Sequence, residues 1–254
     1  MATVTYSYEE DDLMLNLQHI SYAYPTGTGL TDIELQINAG EFICFMGPNG
    51  SGKSTLFNLL SGLKTATAGH YYFNQTLIDA AYLKNAQQRQ AFHQQIGFVF
   101  QNSDVQLFNL TVADEVAFGL RQLPLAPDVI EQRVNDCLAL TGCTNLHDRV
   151  PYHLSGGEKK RVALASVLAL NPSVLILDEP LNGLTPAAQQ QILDLLTQLQ
   201  QAGKTILLAS HDYAQIKNIA QRFIIFNEQH QIAYDMDRAS LASQPQLQAE
   251  LALL

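Results

Sequence analysis

The chain has 254 residues, 47% of them hydrophobic and 15% charged, which suits a folded protein with a sizeable core and excludes a disordered one. Its 24 acidic and 14 basic residues leave a formal charge of −10, unfavourable for a general nucleic-acid binder, whose phosphate contacts need clustered Lys and Arg. No apolar run reaches the roughly 18 residues that cross a bilayer, and the opening MATVTYSYEEDD lacks the apolar stretch of a secretory signal.

Residues 13–20 and 31–37 alternate polar and apolar side chains around the Pro25-Thr26-Gly27-Thr28-Gly29 turn, predicting a small antiparallel β layer. A continuous apolar run follows at 42–46, where Cys44 reads as a small buried residue. A glycine-rich loop then opens a helix at 54–61, and 84–95 predicts a polar helix with a solvated face. Beyond it, apolar runs at 96–100, 174–177, 205–209 and 223–226 alternate with helical stretches at 128–141, 157–170 and 187–201. Continuous runs suit parallel strands covered on both faces, so the fold class is α/β with a mostly parallel core sheet. Leu247, Leu251 and Leu254 stand at helical spacing and predict a short amphipathic helix that packs on the body or meets a partner. The cysteines (Cys44, Cys137 and Cys143) form no Cys-x-x-Cys pair, which suits free thiols in a reducing cytoplasm, and the histidines lack metal-site spacing, so no structural zinc is expected.

Three stretches carry chemistry. Gly47-Pro48-Asn49-Gly50-Ser51-Gly52-Lys53-Ser54-Thr55 satisfies the G-x-x-x-x-G-K-[ST] phosphate loop, between a strand and a helix as that chemistry requires. Its backbone N–H groups and the helix dipole would cradle a triphosphate, Lys53 would reach the β- and γ-phosphates, and Ser54 would ligate Mg2+. Asp178 closes the run at 174–177, at the sheet edge where ligands bind; it suits a magnesium ligand, with Glu179 polarising the attacking water. Leu154-Ser155-Gly156-Gly157 begins a basic helix, readable either as an anion site or as an ordinary helix cap.

Taken in this order, the phosphate loop, Leu-Ser-Gly-Gly with its basic helix and the strand ending Asp-Glu-Pro resemble ATP-binding-cassette ATPases along nearly the whole chain. The resemblance implies a P-loop NTPase core with an antiparallel β subdomain and a helical subdomain. One cassette would span 1–254, with its core and β subdomain in 1–100 and 171–235, the helical subdomain in 101–170 and a tail in 236–254. It implies ATP and Mg2+ as ligands. Gln101 would be the glutamine that contacts magnesium and water, and His211 the switch histidine on the γ-phosphate. Tyr24 would be the aromatic stacked on adenine, with Tyr22 the alternative. A second cassette, identical or related, would bring its own signature to this ATP, so that Ser155, Gly156 and Gly157 serve the nucleotide of the other subunit.

The segment from Gly97 through Gln101, Asp104, Gln106 and Phe108 to Gly119 is similar to energy-coupling-factor ATPases, which power uptake of vitamins and of cobalt or nickel ions in prokaryotes. Ser103 stands where that group has proline. The similarity implies a transmembrane coupling subunit, a substrate-binding membrane subunit and a peripheral place on the cytoplasmic face of the membrane, with no nucleic acid. Leu107, Phe108 and Phe118 would meet coupling helices or serve as core. Thr185 departs from the family's aspartate and opens the expectation of unequal sites in a heterodimer. The alternative is a soluble cassette ATPase in an assembly or repair complex.

Overall fold

The computed structural model describes residues 13–253; the opening segment and Leu254, for which the sequence carries expectations, lie outside the described residues. The first half runs β1 (Leu13–Tyr24), β2 (Gly27–Asn38), β3 (Phe42–Met46), α1 (Lys53–Leu60), β4 (Ala68–Phe73), β5 (Thr76–Leu77), α2 (Ala80–Lys84), α3 (Ala86–Gln95), β6 (Ile96–Val99) and α4 (Val112–Leu120). The second runs α5 (Pro127–Leu140), α6 (Gly156–Leu168), β7 (Val174–Asp178), α7 (Pro186–Gln201), β8 (Thr205–Ala209), α8 (Tyr213–Ile216), β9 (Arg222–Phe226), β10 (Ile232–Asp237), α9 (Arg238–Ala242) and α10 (Pro245–Leu251).

A six-stranded sheet in the order β10-β9-β3-β8-β7-β6 forms the centre, all parallel except for β10 against β9. Every residue of β3, β7, β8 and β9 is buried. Because strand side chains alternate, each strand feeds two cores. Cys44, Leu175, Leu177, Ile206 and Leu208 pack with α6 and α7 on one face. Ile43, Phe45, Ile176, Leu207 and Ile224 pack on the other with α1 and the antiparallel sheet β2-β1-β4-β5. The Phe45 and Phe57 rings meet edge to face at 5.1 Å across that second interface.

A third cluster joins α4, α5 and α6. Helix α6 serves two clusters at once, sending Leu164 and Val167 to the central sheet and Val162 and Ala165 to its helical neighbours. Leu247 and Leu251 of α10 are buried in the central core, which settles that helix as packing on the body.

Three local expectations change, and one helix joins them that the sequence reading did not place. Strand pairing continues to Tyr24 and resumes at Gly27, so the β1–β2 turn is confined to Pro25 and Thr26. The helix expected at 84–95 is broken at Asn85, whose side chain accepts from the N–H groups of Gln87 and Gln88 and starts α3 afresh. The strand expected at 96–100 ends at Val99. Finally, α4 is a helix opened by the Thr111 hydroxyl, which accepts from Asp114 N at 3.0 Å.

Candidate functional site

The chain leaves β3 at Met46 and turns through residues 47–52 into α1. Gly52 holds φ at 110°, and a Cβ there would stand 2.7 Å from the Gly29 carbonyl oxygen and 3.0 Å from Leu30 Cδ2. Only glycine lets this loop lie against β2. Lys53 is 8% exposed, and its Nζ donates to the Gly47 carbonyl at 2.7 Å and the Pro48 carbonyl at 3.0 Å. The ammonium therefore sits in the curl of the loop with a further N–H to offer a ligand. Burial pulls its pKa down, against the upward pull of Glu179 and Asp178. Ser51 lines the same cleft, and its buried hydroxyl has no protein hydrogen-bond partner. A group so placed calls for a ligand or water.

Strands β7 and β8 bring the remaining groups to the carboxyl edge of the sheet, as expected of a parallel α/β fold. Asp178 is the last residue of β7. Burial raises its pKa, opposed by a hydrogen bond with the Ser54 side chain and by the Lys53 charge. Glu179 follows at φ 49°, its N–H donating to the Ala209 carbonyl at the end of β8 at 3.2 Å. This left-handed backbone is costly for a residue with a side chain. His211 Nδ1 lies 2.9 Å from Glu179 Oε2, so the ring N–H donates to the carboxylate. Burial raises the Glu179 pKa, opposed by His211 and then Lys53.

Residues 49–55, Gln101, Asp178, Glu179 and His211 line one cleft of about 370 Å³. Of the residues singled out in sequence, these come together. Gly47 and Pro48 join them through the Lys53 ammonium. Tyr24 stands beside the cleft, its hydroxyl 3.0 Å from Thr55 Oγ1. The ring meets Tyr22 edge to face, and the Lys64 ammonium lies 4.8 Å from its centroid. Ser155, Gly156 and Gly157 do not line the cleft. Ser155 caps α6 in a reciprocal box, its N–H and hydroxyl each donating to Glu158 Oε2 at 2.8 Å.

Two residues escaped the sequence reading. Asn182 lines the cleft. Lys160 Nζ donates to the carbonyls of Glu179 and Asn182 from α6. Neither has a sequence signal of its own, because one reads as turn and the other as solvated helix.

The family model for ABC transporters matches residues 30–182. A nickel import ATP-binding protein, LarO, of Lactiplantibacillus plantarum is 62% identical over 95% of this chain and all of its own length. An energy-coupling factor transporter ATP-binding protein, EcfA, of Methanothermobacter thermautotrophicus is 41% identical over 87% of this chain and 70% of its own. Among solved structures, CbiO1 of Clostridium perfringens, described as part of an ABC transporter complex, superposes with a TM-score of 0.82 at 34% identity, covering 95% of both chains. A dimeric ATP-binding cassette in a post-hydrolysis state with ADP and Pi gives 0.81 at 28% identity, over 89% of this chain and 99% of its own. These similarities bear out the resemblance read from the motifs, the energy-coupling-factor likeness included, and the chain belongs to the ABC transporter family as an ATP-binding cassette.

Proposed function

We propose that this cassette is the ATP-hydrolysing subunit of an energy-coupling-factor type importer and that the cargo is a nickel ion. The observation that carries the ATPase reading is the Glu179–His211 pair facing the phosphate loop across a cleft that also holds Lys53 and Asp178. The nickel assignment rests on likeness to LarO over nearly the whole chain.

In this reading, residues 47–55 wrap the triphosphate with backbone N–H groups, and Lys53 turns its free N–H to the β- and γ-phosphates. Glu179 orients the attacking water and takes its proton, while His211 holds the carboxylate and the γ-phosphate. Tyr24 supplies a ring for the adenine. Ser54, Asp178 and Gln101 present hard oxygen donors that fit a magnesium ion, as does the Ser54–Asp178 hydrogen bond already in place. When bound, magnesium neutralises charge on the β- and γ-phosphate oxygens. Ser155, Gly156 and Gly157 serve the ATP of a second cassette, identical or related. To meet that ATP, the Ser155 hydroxyl exchanges Glu158 for a phosphate oxygen.

Among the described residues, no helix is long and apolar enough to cross a membrane. Phe108 and Phe118 meet edge to face at 4.9 Å, 66% and 44% exposed, on the segment that follows Gln101. This apolar surface is the seat we assign to a transmembrane coupling subunit, which would hold the cassette peripherally on the cytoplasmic face. The substrate-binding membrane subunit completes the complex. Tagged chain extracted from membranes in detergent is expected to copurify with a polytopic membrane protein, and cells carrying it to take up radioactive nickel. A pull-down holding only soluble partners overturns the transport reading. Unchanged nickel uptake in cells from which this chain has been deleted overturns the cargo.

A further inference from the structure

Lys160 lies in the first half of α6, on the same helix that begins at Gly156. Its side chain leaves the helix for the loop after β7 and donates to the Asn182 carbonyl at 2.5 Å and the Glu179 carbonyl at 3.2 Å. The Glu179 carbonyl also accepts from Asn182 N at 3.3 Å, closing a tight turn over residues 179–182. One ammonium therefore grips both ends of the turn that carries Glu179. The same loop touches the start of α6 again, because a Cβ on Gly157 would stand 3.3 Å from Leu184 Cδ2.

We propose that Lys160 is a positioning residue for Glu179: by holding the two carbonyls of this turn it fixes the left-handed backbone that aims the glutamate and ties that aim to helix α6. Left-handed φ at a residue bearing a side chain persists only where the surroundings over-determine it, and two charge-assisted hydrogen bonds are such a constraint. A backbone shift at Glu179 swings the carboxylate at the end of its side chain, and the attack geometry is sensitive to about 1 Å.

Helix α6 is also bound on its other side. Lys159 Nζ reaches Asp104 Oδ1 at 2.6 Å, and Gln106 Nε2 donates to the Ala163 carbonyl at 3.3 Å. Consecutive lysines thus clamp α6 to the segment after Gln101 and to the Glu179 turn. On the proposed reading, in which the start of α6 faces the nucleotide of a second cassette, Lys160 passes a shift of that helix to the glutamate of its own site.

Steady-state ATP hydrolysis by full-length chain tests this. Lys160→Met, which keeps the stem and removes the donor, is expected to lower kcat by about 10- to 100-fold with KM for ATP little changed. Lys160→Arg, which restores a charged donor, should recover most of the loss. In a Glu179→Gln background, single-turnover phosphate release should fall no further on adding Lys160→Met, because the two residues act through one carboxylate. A wild-type kcat for Lys160→Met overturns the proposal, as does an equal fold loss in both backgrounds. Should Lys160→Met fail to fold, Lys160→Gln keeps one neutral donor and should give an intermediate kcat; a wild-type value there overturns the proposal equally. Wild-type turnover by Glu179→Gln alone would instead overturn the assignment of Glu179, a failure separate from that of Lys160.

Discussion

Gly52 and Gly50 separate two costs that any side chain in the phosphate loop must meet. Both have positive φ, 110° at Gly52 and 79° at Gly50. A Cβ at Gly50 meets no atom within 4 Å, so Gly50→Ala pays only the conformational penalty, about 1–2 kcal/mol. At Gly52 the backbone is further from any well for L-residues, about 1–3 kcal/mol. The new methyl also falls 2.7 Å from the Gly29 carbonyl oxygen of β2, a backbone atom and not the far end of a flexible side chain. Such overpacking adds about 1–3 kcal/mol. Gly52→Ala is therefore expected to lose about 2–6 kcal/mol, a large share of a domain's usual 5–15. Equilibrium urea unfolding of both variants at neutral pH reads the difference, with m unchanged as the check that the same transition is observed. Equal losses at the two positions would refute the close approach as the reason for glycine at Gly52.

Two further expectations concern charge. In the nucleotide-free protein, Glu179→Gln should raise the thermal midpoint at neutral pH, because burial lifts the Glu179 pKa and its ionised form weakens the fold. Protonation relieves that cost as pH falls through the folded pKa, so the advantage of Gln should shrink from about pH 8 to about pH 4 in scanning fluorimetry; a pH-independent difference would contradict the assignment. Arg222 is buried and forks onto Asp235 at 2.7 and 2.6 Å, while also reaching Glu41 at 3.1 Å and the Gln36 carbonyl at 2.8 Å. Arg222→Met leaves both carboxylates without this cation and should cost about 3–5 kcal/mol in urea unfolding. A loss within the range of an exposed ion pair, below about 1 kcal/mol, would show that the fork contributes little.

What the sequence made legible follows the physics of each segment. Strands β3 and β8 coincide with the apolar runs at 42–46 and 205–209, because strands covered on both faces need no alternation and end where burial ends. Helices α5 and α7 begin within one residue of expectation, each opened by a proline at its first turn. Asp178 closes β7, and the phosphate loop, Glu179 and His211 come just after strand ends of the same sheet, which the fold gathers into one cleft. His211 was singled out by the family resemblance, since a lone histidine after a strand carries no signal of its own. Tertiary partnerships were not legible. Lys159 and Lys160 look alike on a helix surface, yet one pairs with Asp104 and the other holds backbone carbonyls of the Glu179 turn. Glu115 reads as an exposed helix acid, yet it is buried and accepts from the N–H groups of Phe108 and Asn109. Partners distant in sequence, or reached through backbone atoms, leave no mark in residue type.

Thr185 shows how a departure from a family pattern divides into two effects. Its hydroxyl accepts from Ala188 N at 3.4 Å and Pro186 takes the first helical position, so α7 starts as a capped helix. Threonine thus replaces the capping duty that an aspartate would perform at the same place, and the fold keeps its helix. The charge is not replaced. Thr185 is exposed, one residue beyond Leu184, which packs near Gly157 at the start of α6. If two copies of this chain pair through that surface, both contribute a neutral hydroxyl. Pairing with a relative that keeps the aspartate sets one carboxylate against one hydroxyl, and the two ATP sites then differ electrostatically. The asymmetry expected from Thr185 therefore depends on the partner cassette, since the chain's own loop stays capped with either residue.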